Sequence, residues 1–351
     1  MNLPLYRGNQ APERPPEGAH RGLWFERFFN QYRPDWSLPE AGDGDNPKKR
    51  FLDGIEGPCG DRDALRRVAR RRIGLTEQLG GNWRTFVTDF HFVTGLGYPH
   101  PVENGLAWHP TLGVPYLPGS SVKGLVRAFC TTWAGWAKDD PRLGRWFGVG
   151  SGEAGADGAG ALMFFEACPV EPPSLKVDIM TPHMGKWYEA GDDIQNPWGA
   201  AEGAKVPGDW HDPTPIPFLA VEQATFLFSV APRPGCSQAE VTEALDVLEE
   251  ALAWTGAGAK TAAGYGRMDR NTGGEEDLLQ QREEARREEE LAQLSPEERA
   301  LREYAELLEQ ERAAGRMDRG SSPLTGQARG LLDRAEEEGW AAEQCMRLAE
   351  L

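Results

Sequence analysis

Apolar positions recur along the chain with two different spacings, and these spacings predict a mixed fold. The segment 121–137 places its apolar residues on one side of a helix, which Ser120 or Ser121 is expected to cap. Ser237 and Glu240 form the S-x-x-E capping box of a later helix. Segments dense in β-branched and aromatic residues predict strands. These strands are 84–94, 161–167, 174–180 and a long one over 218–231, with a short strand after 266.

The order of these elements predicts an α+β fold of the ferredoxin-like or RRM-like kind. It runs strand, helix, strand, insertion, strand, helix and strand, with a Gly-rich loop at 256–266. We expect this domain to occupy 84–270, with a Pro- and Trp-rich insertion at 182–217. An N-terminal extension, 1–83, contains a basic helix at 61–73 that Asp61 is expected to cap, and a helical C-terminal extension covers 271–351.

Composition narrows the class of protein. The 351 residues include 38 Lys and Arg, 55 Asp and Glu, and 12 Trp, and 39% of them are hydrophobic, which excludes a wholly disordered chain. From Glu275 onward there are 11 basic and 21 acidic residues, so the tail holds −10 of the net charge of −17. Between Lys48 and Arg72 the balance reverses, to nine basic and four acidic residues. The negative net charge therefore excludes a protein whose whole surface is basic, but it does not exclude a local basic groove for RNA.

The sequence predicts no membrane segment, no cofactor and no metal. No apolar run approaches the ~20 residues that span a bilayer, and the first residues lack the apolar core of a signal peptide. The five Cys are scattered and form no CxxC pair. We therefore expect a cytoplasmic protein.

The first motif with chemical content is PGSSVKGLVR at 118–127, where a Gly-Ser-Ser turn leads into a helix. Free backbone N–H groups, the hydroxyls of Ser120 and Ser121, and the cations Lys123 and Arg127 together suit the binding of phosphates. A glycine at 124 is expected where another backbone must approach closely. The alternative is an ordinary capped helix with two solvated cations. Ser120 and Lys123 also match S-x-x-K, but the partner motifs of serine acyl-transfer enzymes are missing.

The second motif is GAGAKTAAGYG at 256–266, which is expected to expose consecutive backbone N–H groups. The candidate phosphate ligands are Gly256, Gly258, Lys260, Thr261, Gly264 and Gly266. Tyr265 is expected to stack on a base. The motif is not a Walker A loop, because Ala259 precedes Lys260 and the segment follows a helix. The alternative is a flexible helix exit.

The long loop 95–119 contains further candidates. Trp108 and His109 are candidate stacking groups. His91, His100 and His109 are nine residues apart, a spacing that does not suit metal ligands on one element. A histidine acting as a general base stays open on sequence grounds.

These residues resemble the RAMP superfamily of CRISPR proteins. The glycine loop and the PGSS motif are shared features of that superfamily, and the run ENGLAWHPTLGVPYLPGSS at 103–121 resembles the sixth-subunit family of type III-B Cmr effector complexes. The resemblance covers about 84–269 and does not extend to the N-terminal extension or the tail.

The resemblance implies a non-catalytic subunit that binds CRISPR RNA near the 3′ end of the guide and helps to position target RNA. It also implies contact with other Cmr subunits, namely the backbone RAMP subunits and the small helical subunits. Two rivals remain open: a RAMP-fold endoribonuclease that processes precursor CRISPR RNA, and a scaffold that acts mainly through the acidic tail.

Overall fold

The computed structural model describes residues 14–33, 35–38, 46–149, 158–196, 198–199, 205–208, 210–315 and 323–351. The chain divides into two compact units, Met1–Glu276 and Asp277–Leu351. The beginning of the predicted N-terminal extension and parts of the predicted insertion lie outside the described residues. The predicted three-part division of the chain stays a prediction. Among the described residues, no helix combines the length and the apolar character needed to cross a bilayer.

The first unit begins with short elements that surround one long basic helix. They are α1 (Arg21–Arg27), α2 (Pro47–Asp53), β1 (Gly57–Pro58) and α3 (Arg62–Gln78). The side chain of Asp61 accepts the N–H of Ala64 at 2.7 Å, so the predicted cap of the basic helix is confirmed.

The remaining elements of the first unit alternate between strands and helices. They are β2 (Asn82–Thr88), α4 (Gly119–Thr132), α5 (Pro141–Phe147), β3 (Leu162–Phe164), β4 (Cys168–Pro169), β5 (Ser174–Met180), α6 (Gly185–Ala190), β6 (Ile216–Val221), β7 (Thr225–Pro232), α7 (Gln238–Trp254) and β8 (Met268–Arg270). The capping box of Ser237 and Glu240 at the start of α7 is confirmed.

Two β-α-β units build the main sheet. Its strand order is β3-β7-β2-β8 with antiparallel neighbours, and β4 also pairs with β7. Phe86 of β2 is paired with Phe226 of β7 at the buried centre. Helices α4 and α7, which follow β2 and β7, pack on each other. This arrangement confirms the predicted α+β class.

The predicted long strand 218–231 is wrong, because the chain turns at 222–224. β6 joins a second sheet of order β1-β5-β6, whereas β7 lies in the main sheet. Both halves are buried and apolar, so their pattern does not distinguish one long strand from two. The predicted strand 84–94 likewise ends at Thr88, and Phe92 makes only an isolated bridge to Val221.

Both faces of the main sheet are covered by helices. Arg84 of β2 forms ion pairs with Asp246 and Glu249 of α7 on one face. The preceding residue, Trp83, lies on the other face and donates its indole N–H to Glu77 of α3 at 3.3 Å. An RRM stacks bases on an open sheet face, and here α3 covers that face. A ligand must therefore bind elsewhere.

The second unit is helical and has a small core of its own. Its helices are α8 (Thr272–Gln293, which begins in the first unit), α9 (Pro296–Ala313), α10 (Pro323–Glu338) and α11 (Ala342–Glu350). The core residues are Leu301, Tyr304, Leu324, Leu331, Ala335, Trp340 and Leu348. Ser295 caps α9 with Glu298, as its S-P-E-E sequence indicates.

Candidate functional site

A groove of about 570 Å³ joins the two glycine motifs. One wall is a face of α4, made by Ser121, Gly124, Ala128 and Thr132 among others. The other wall is made by residues 255–259 and Thr261, and residues 94–97 complete the groove. None of the lining residues carries a charged side chain. The two motifs therefore lie together, and the surface between them offers hydroxyls and main-chain groups.

The start of α4 differs from the prediction. Pro118 occupies the N-cap position, and no side chain caps the helix, so neither Ser120 nor Ser121 is the cap. The proline begins the helix early, because its ring fixes φ near −65° and it needs no hydrogen-bond partner for its nitrogen. Both serines are exposed in the first turn, where their hydroxyls have no partner among the described residues. The N–H groups of Gly119 and Ser120 are also without an acceptor there.

The two glycines of this motif serve different purposes. A Cβ on Gly119 would lie 2.4 Å from the carbonyl oxygen of Phe164, so glycine allows β3 to approach the helix. A Cβ on Gly124 would meet nothing within 4 Å. The close approach predicted at Gly124 is therefore not made by any described part of this chain, and the space above it opens into the groove.

The cations of α4 flank the groove and do not line it. Each residue of an α-helix advances by about 100° around the helix axis. Arg127 therefore lies about 120° around the axis from Ser121, and Lys123 lies about 160° from Ser121 in the same direction. Lys123 is half-buried and Arg127 is exposed. Neither forms an ion pair with a described residue, whereas Arg84 is paired with two carboxylates. Both cations therefore lie outside the groove, with Arg127 nearer to its edge than Lys123.

Three glycines of the second motif are required by packing within the chain, and Gly264 is required by its backbone conformation alone. Gly256, Gly258, Gly264 and Gly266 all have positive φ. A Cβ on Gly258 would lie 2.1 Å from the carbonyl oxygen of Val93, and one on Gly266 would clash with the carbonyl of Ala257. These positions therefore exclude larger residues even without a ligand.

The expected run of free amides is shorter than predicted. The N–H groups of residues 256, 257, 259 and 263–266 donate to carbonyls of the protein. Those of Gly258, Lys260, Thr261 and Ala262 have no acceptor among the described residues. The backbone of Lys260 adopts the left-handed conformation (φ 56°, ψ 28°), and this residue precedes a short 3-10 helix, Thr261–Ala263. Three successive free amides at such a turn form a small anion-binding concavity.

Lys260 is the cation closest in sequence to these amides. Its Nζ lies 5.4 Å from the ring centroid of Phe218 and 5.9 Å from that of Tyr265. These are cation–π distances. Lys260 forms no ion pair with a carboxylate among the described residues, so its charge is available to a ligand.

Tyr265 does not present a ring for stacking, contrary to the prediction. It is only 7% exposed, and its hydroxyl donates to Asp178 Oδ2 at 2.5 Å. His91 Nδ1 lies 3.2 Å from the same oxygen. Burial, together with the neighbouring carboxylate, raises the pKa of Tyr265. Burial opposes the charge of Asp178, but hydrogen bonds from Tyr265, the Ile179 amide and His91 outweigh it and lower the Asp178 pKa.

Trp108 and His109 also have roles inside the protein. Trp108 is 7% exposed, because α1 covers it: its ring lies 5.7 Å from that of Phe25. His109 Nδ1 accepts the N–H of Leu112 at 3.3 Å. Burial lowers the pKa of His109, which favours the neutral ring that this hydrogen bond requires. The sequence could not reveal this burial, since α1 lies about 80 residues earlier.

The distribution of acidic residues along the chain is a further sequence signal of this site. None of the chain's 55 acidic residues falls in 90–102, 105–137 or 251–268. These three segments supply the residues that line the groove. Since the chain as a whole has a net charge of −17, long segments without carboxylates mark a surface where anions are not repelled.

A metal centre has no support in the structure. Within the described part of the chain, no group of three or more His, Cys, Asp or Glu residues could hold a metal ion.

Comparison with known proteins identifies relatives. The profile of the RAMP superfamily matches residues 85–269. The CRISPR system Cmr subunit Cmr6 of Pyrococcus furiosus is 30% identical over an alignment of 243 residues, and the match covers 52% of this chain and 66% of that protein. The chain thus spans slightly less than two thirds of this relative.

Two solved structures are also similar. A type III-B Cmr-β complex bound to cognate target RNA contains a chain with a TM-score of 0.45 and 17% identity, over 64% of this chain and 69% of that chain. The crystal structure of Cmr6 from Pyrococcus furiosus gives a TM-score of 0.31 and 28% identity, over 54% of this chain and 98% of that chain.

Proposed function

Because the chain belongs to the RAMP superfamily, we propose that it is a non-catalytic RNA-binding subunit of a type III-B Cmr effector complex. Its ligand is CRISPR RNA, held near the 3′ end of the guide, and it helps to position target RNA. Its partners are other Cmr subunits, and it acts in the cytoplasm. The 30% identity to a Cmr6 protein supports this assignment.

The observation that carries the proposal is the groove between α4 and the glycine loop. It brings together the amides of Gly258 and Thr261 and the hydroxyl of Ser121, which have no partners among the described residues, and an open position at Gly124. Hydrogen-bond donors without partners suit phosphate and sugar oxygens.

The chemistry of the groove favours binding that does not depend on sequence. Its walls contain small residues and main-chain groups, and the nearby cations Arg127 and Lys260 are free of carboxylate partners. Such groups contact the backbone of RNA and do not read base edges. A guide-binding subunit needs this property, since it must accept guides of any sequence. Ser120, at the start of α4, completes the proposed set of ligands, and Lys123 would contact the RNA backbone only outside the groove.

Salt dependence of RNA binding tests the proposal. The full chain and the double variant Arg127→Ala/Lys260→Ala are titrated with labelled single-stranded RNA at several salt concentrations. Each lost phosphate contact lowers the slope of log K against log salt by about 0.7, so the double variant should lose about 1.4.

Arg71→Ala is the matched control. Arg71 is exposed on α3, across the main sheet from α7, and has no ion-pair partner among the described residues. It should leave the slope unchanged. Equal slopes for all variants, or cleavage of the RNA by the wild-type chain, would contradict the proposal. Co-purification of a short RNA and Cmr subunits with the tagged chain tests its place in a complex.

A further inference from the structure

The groove has an aromatic side chain at one end that the sequence motifs do not include. Trp133 follows α4 directly, and its N–H donates to the carbonyl of Phe129 at 2.9 Å as the helix ends. It lines the groove together with Thr132 and Phe129. The side chain is nevertheless 64% exposed.

The neighbouring tryptophan shows how this segment packs when a ring is part of the core. Trp136 lies 5.0 Å from the ring of Trp146, and the guanidinium of Arg142 lies 3.7 Å above Trp136. Trp133 has no ring or cation partner among the described residues. It therefore presents a large apolar face at the mouth of the groove, beside the donors that line it.

We propose that Trp133 stacks on an unpaired base of a single-stranded RNA that lies in the groove. This inference rests on the proposed function and deepens it by naming the base-binding position. Of the rings predicted from sequence, Tyr265 and Trp108 are buried and His109 is hydrogen-bonded within its own loop, whereas Trp133 is exposed. Stacking on an indole tolerates any base, so it agrees with binding irrespective of sequence.

The polar groups of the groove favour RNA over an apolar protein segment. The hydroxyls of Ser121 and Thr132 and the amides of Gly258 and Thr261 lack partners among the described residues. An apolar helix lying on them would bury donors without acceptors, which is unfavourable. A ribose-phosphate chain supplies acceptors to the same groups while a base covers the indole.

Trp254 provides a matched control for the experiment. It is the last residue of α7, 71% exposed, and it does not line the groove. The full chain, Trp133→Ala, Trp133→Phe and Trp254→Ala are compared by anisotropy with end-labelled oligouridine of about 12 nucleotides. Trp133→Ala should weaken binding at least about fivefold, with an unchanged salt slope. Trp133→Phe should retain most of the affinity, and Trp254→Ala should bind as the wild type.

An abasic oligomer of the same length separates stacking from backbone contact. With this probe, wild type and Trp133→Ala should bind equally, because there is no base to stack. Equal affinities of Trp133→Ala and Trp254→Ala for oligouridine would overturn the inference, as would loss of a protein partner without loss of RNA affinity. Salt-dependent binding by the wild type in those cases would leave the proposed function standing. No binding by any of the chains would reject the proposed function itself.

Discussion

Filling the open position at Gly124 separates the stability of α4 from its role in the groove. Gly124 lies inside the helix with ordinary φ, and a Cβ there would meet nothing within 4 Å. Gly124→Gln therefore introduces no clash within the chain. Glutamine has the higher helix propensity, by about 0.5 kcal/mol, so the first unit should be stabilised by about that amount. For a unit of this size the melting temperature should rise by about 1–2 °C.

The same substitution should weaken RNA binding. The new side chain occupies the groove wall between Ser121 and Ala128 and holds the RNA backbone away from it. Losing two hydrogen bonds of about 0.5–1.5 kcal/mol each costs about 1–3 kcal/mol, which corresponds to about a 5- to 150-fold loss of affinity. Differential scanning fluorimetry measures the first effect, and fluorescence anisotropy with labelled single-stranded RNA measures the second.

Gly74→Gln in α3 is the control, because it also has open space around its Cβ and lies in a helix interior. It should bring the same small gain in stability with unchanged RNA affinity. If Gly124→Gln binds RNA as tightly as the wild type while its melting temperature rises, the groove is not where RNA lies. Equal losses of affinity in both variants would point to a general effect of the substitution instead.

Three further outcomes are expected. Tyr265→Phe removes a hydrogen bond to a carboxylate and should cost about 1.5–3 kcal/mol at pH 7. The pKa of Asp178 is lowered from 3.8 in the folded protein. The ionised carboxylate therefore stabilises the folded state at pH values above 3.8. The difference from wild type, followed by urea unfolding, should therefore shrink as pH falls below about 4, and a constant difference would refute this account. Arg84→Ala should lower the free energy of unfolding in urea by about 2 kcal/mol, because its buried guanidinium pairs with two partly exposed carboxylates on α7. Lys49→Ala, which breaks an exposed ion pair with Asp53, should lower it by less than about 0.5 kcal/mol. Removing 277–351 should leave RNA affinity unchanged in anisotropy and abolish co-purification of partner subunits, and a tenfold loss of affinity would contradict it.

Sequence patterns predicted where a helix begins when a single capping residue determines its start. Asp61 caps α3 and Ser237 caps α7, as the sequence indicates. Prediction failed where two rules compete. At the start of α4, the helix-starting preference of proline prevails over that of serine: Pro118 takes the N-cap position, and the helix begins at Gly119.

The position of the site was predictable, but the role of each residue in it was not. The two glycine motifs do form one groove. Whether a glycine there serves a ligand or the fold depends on distant residues, such as Val93 against Gly258. Burial of Trp108 likewise depends on α1. The apolar spacing of 121–137 places Trp133 on the buried face of the predicted helix, but the helix ends at Thr132 and Trp133 is exposed.

The internal hydrogen bonds of the glycine loop strengthen its proposed role as an anion site. A flexible glycine loop would lose conformational entropy on ordering around a ligand, about 1–2 kcal/mol for each residue fixed. Here seven of the eleven amides of 256–266 are already bonded within the protein, and these bonds hold the other four in place. The left-handed conformation of Lys260 is unfavourable for a side chain and persists only because its neighbours fix it. Because this cost is met on folding, little ordering of the loop remains to oppose ligand binding, and the proposed contacts of Arg127 and Lys260 add to donors that are already in place.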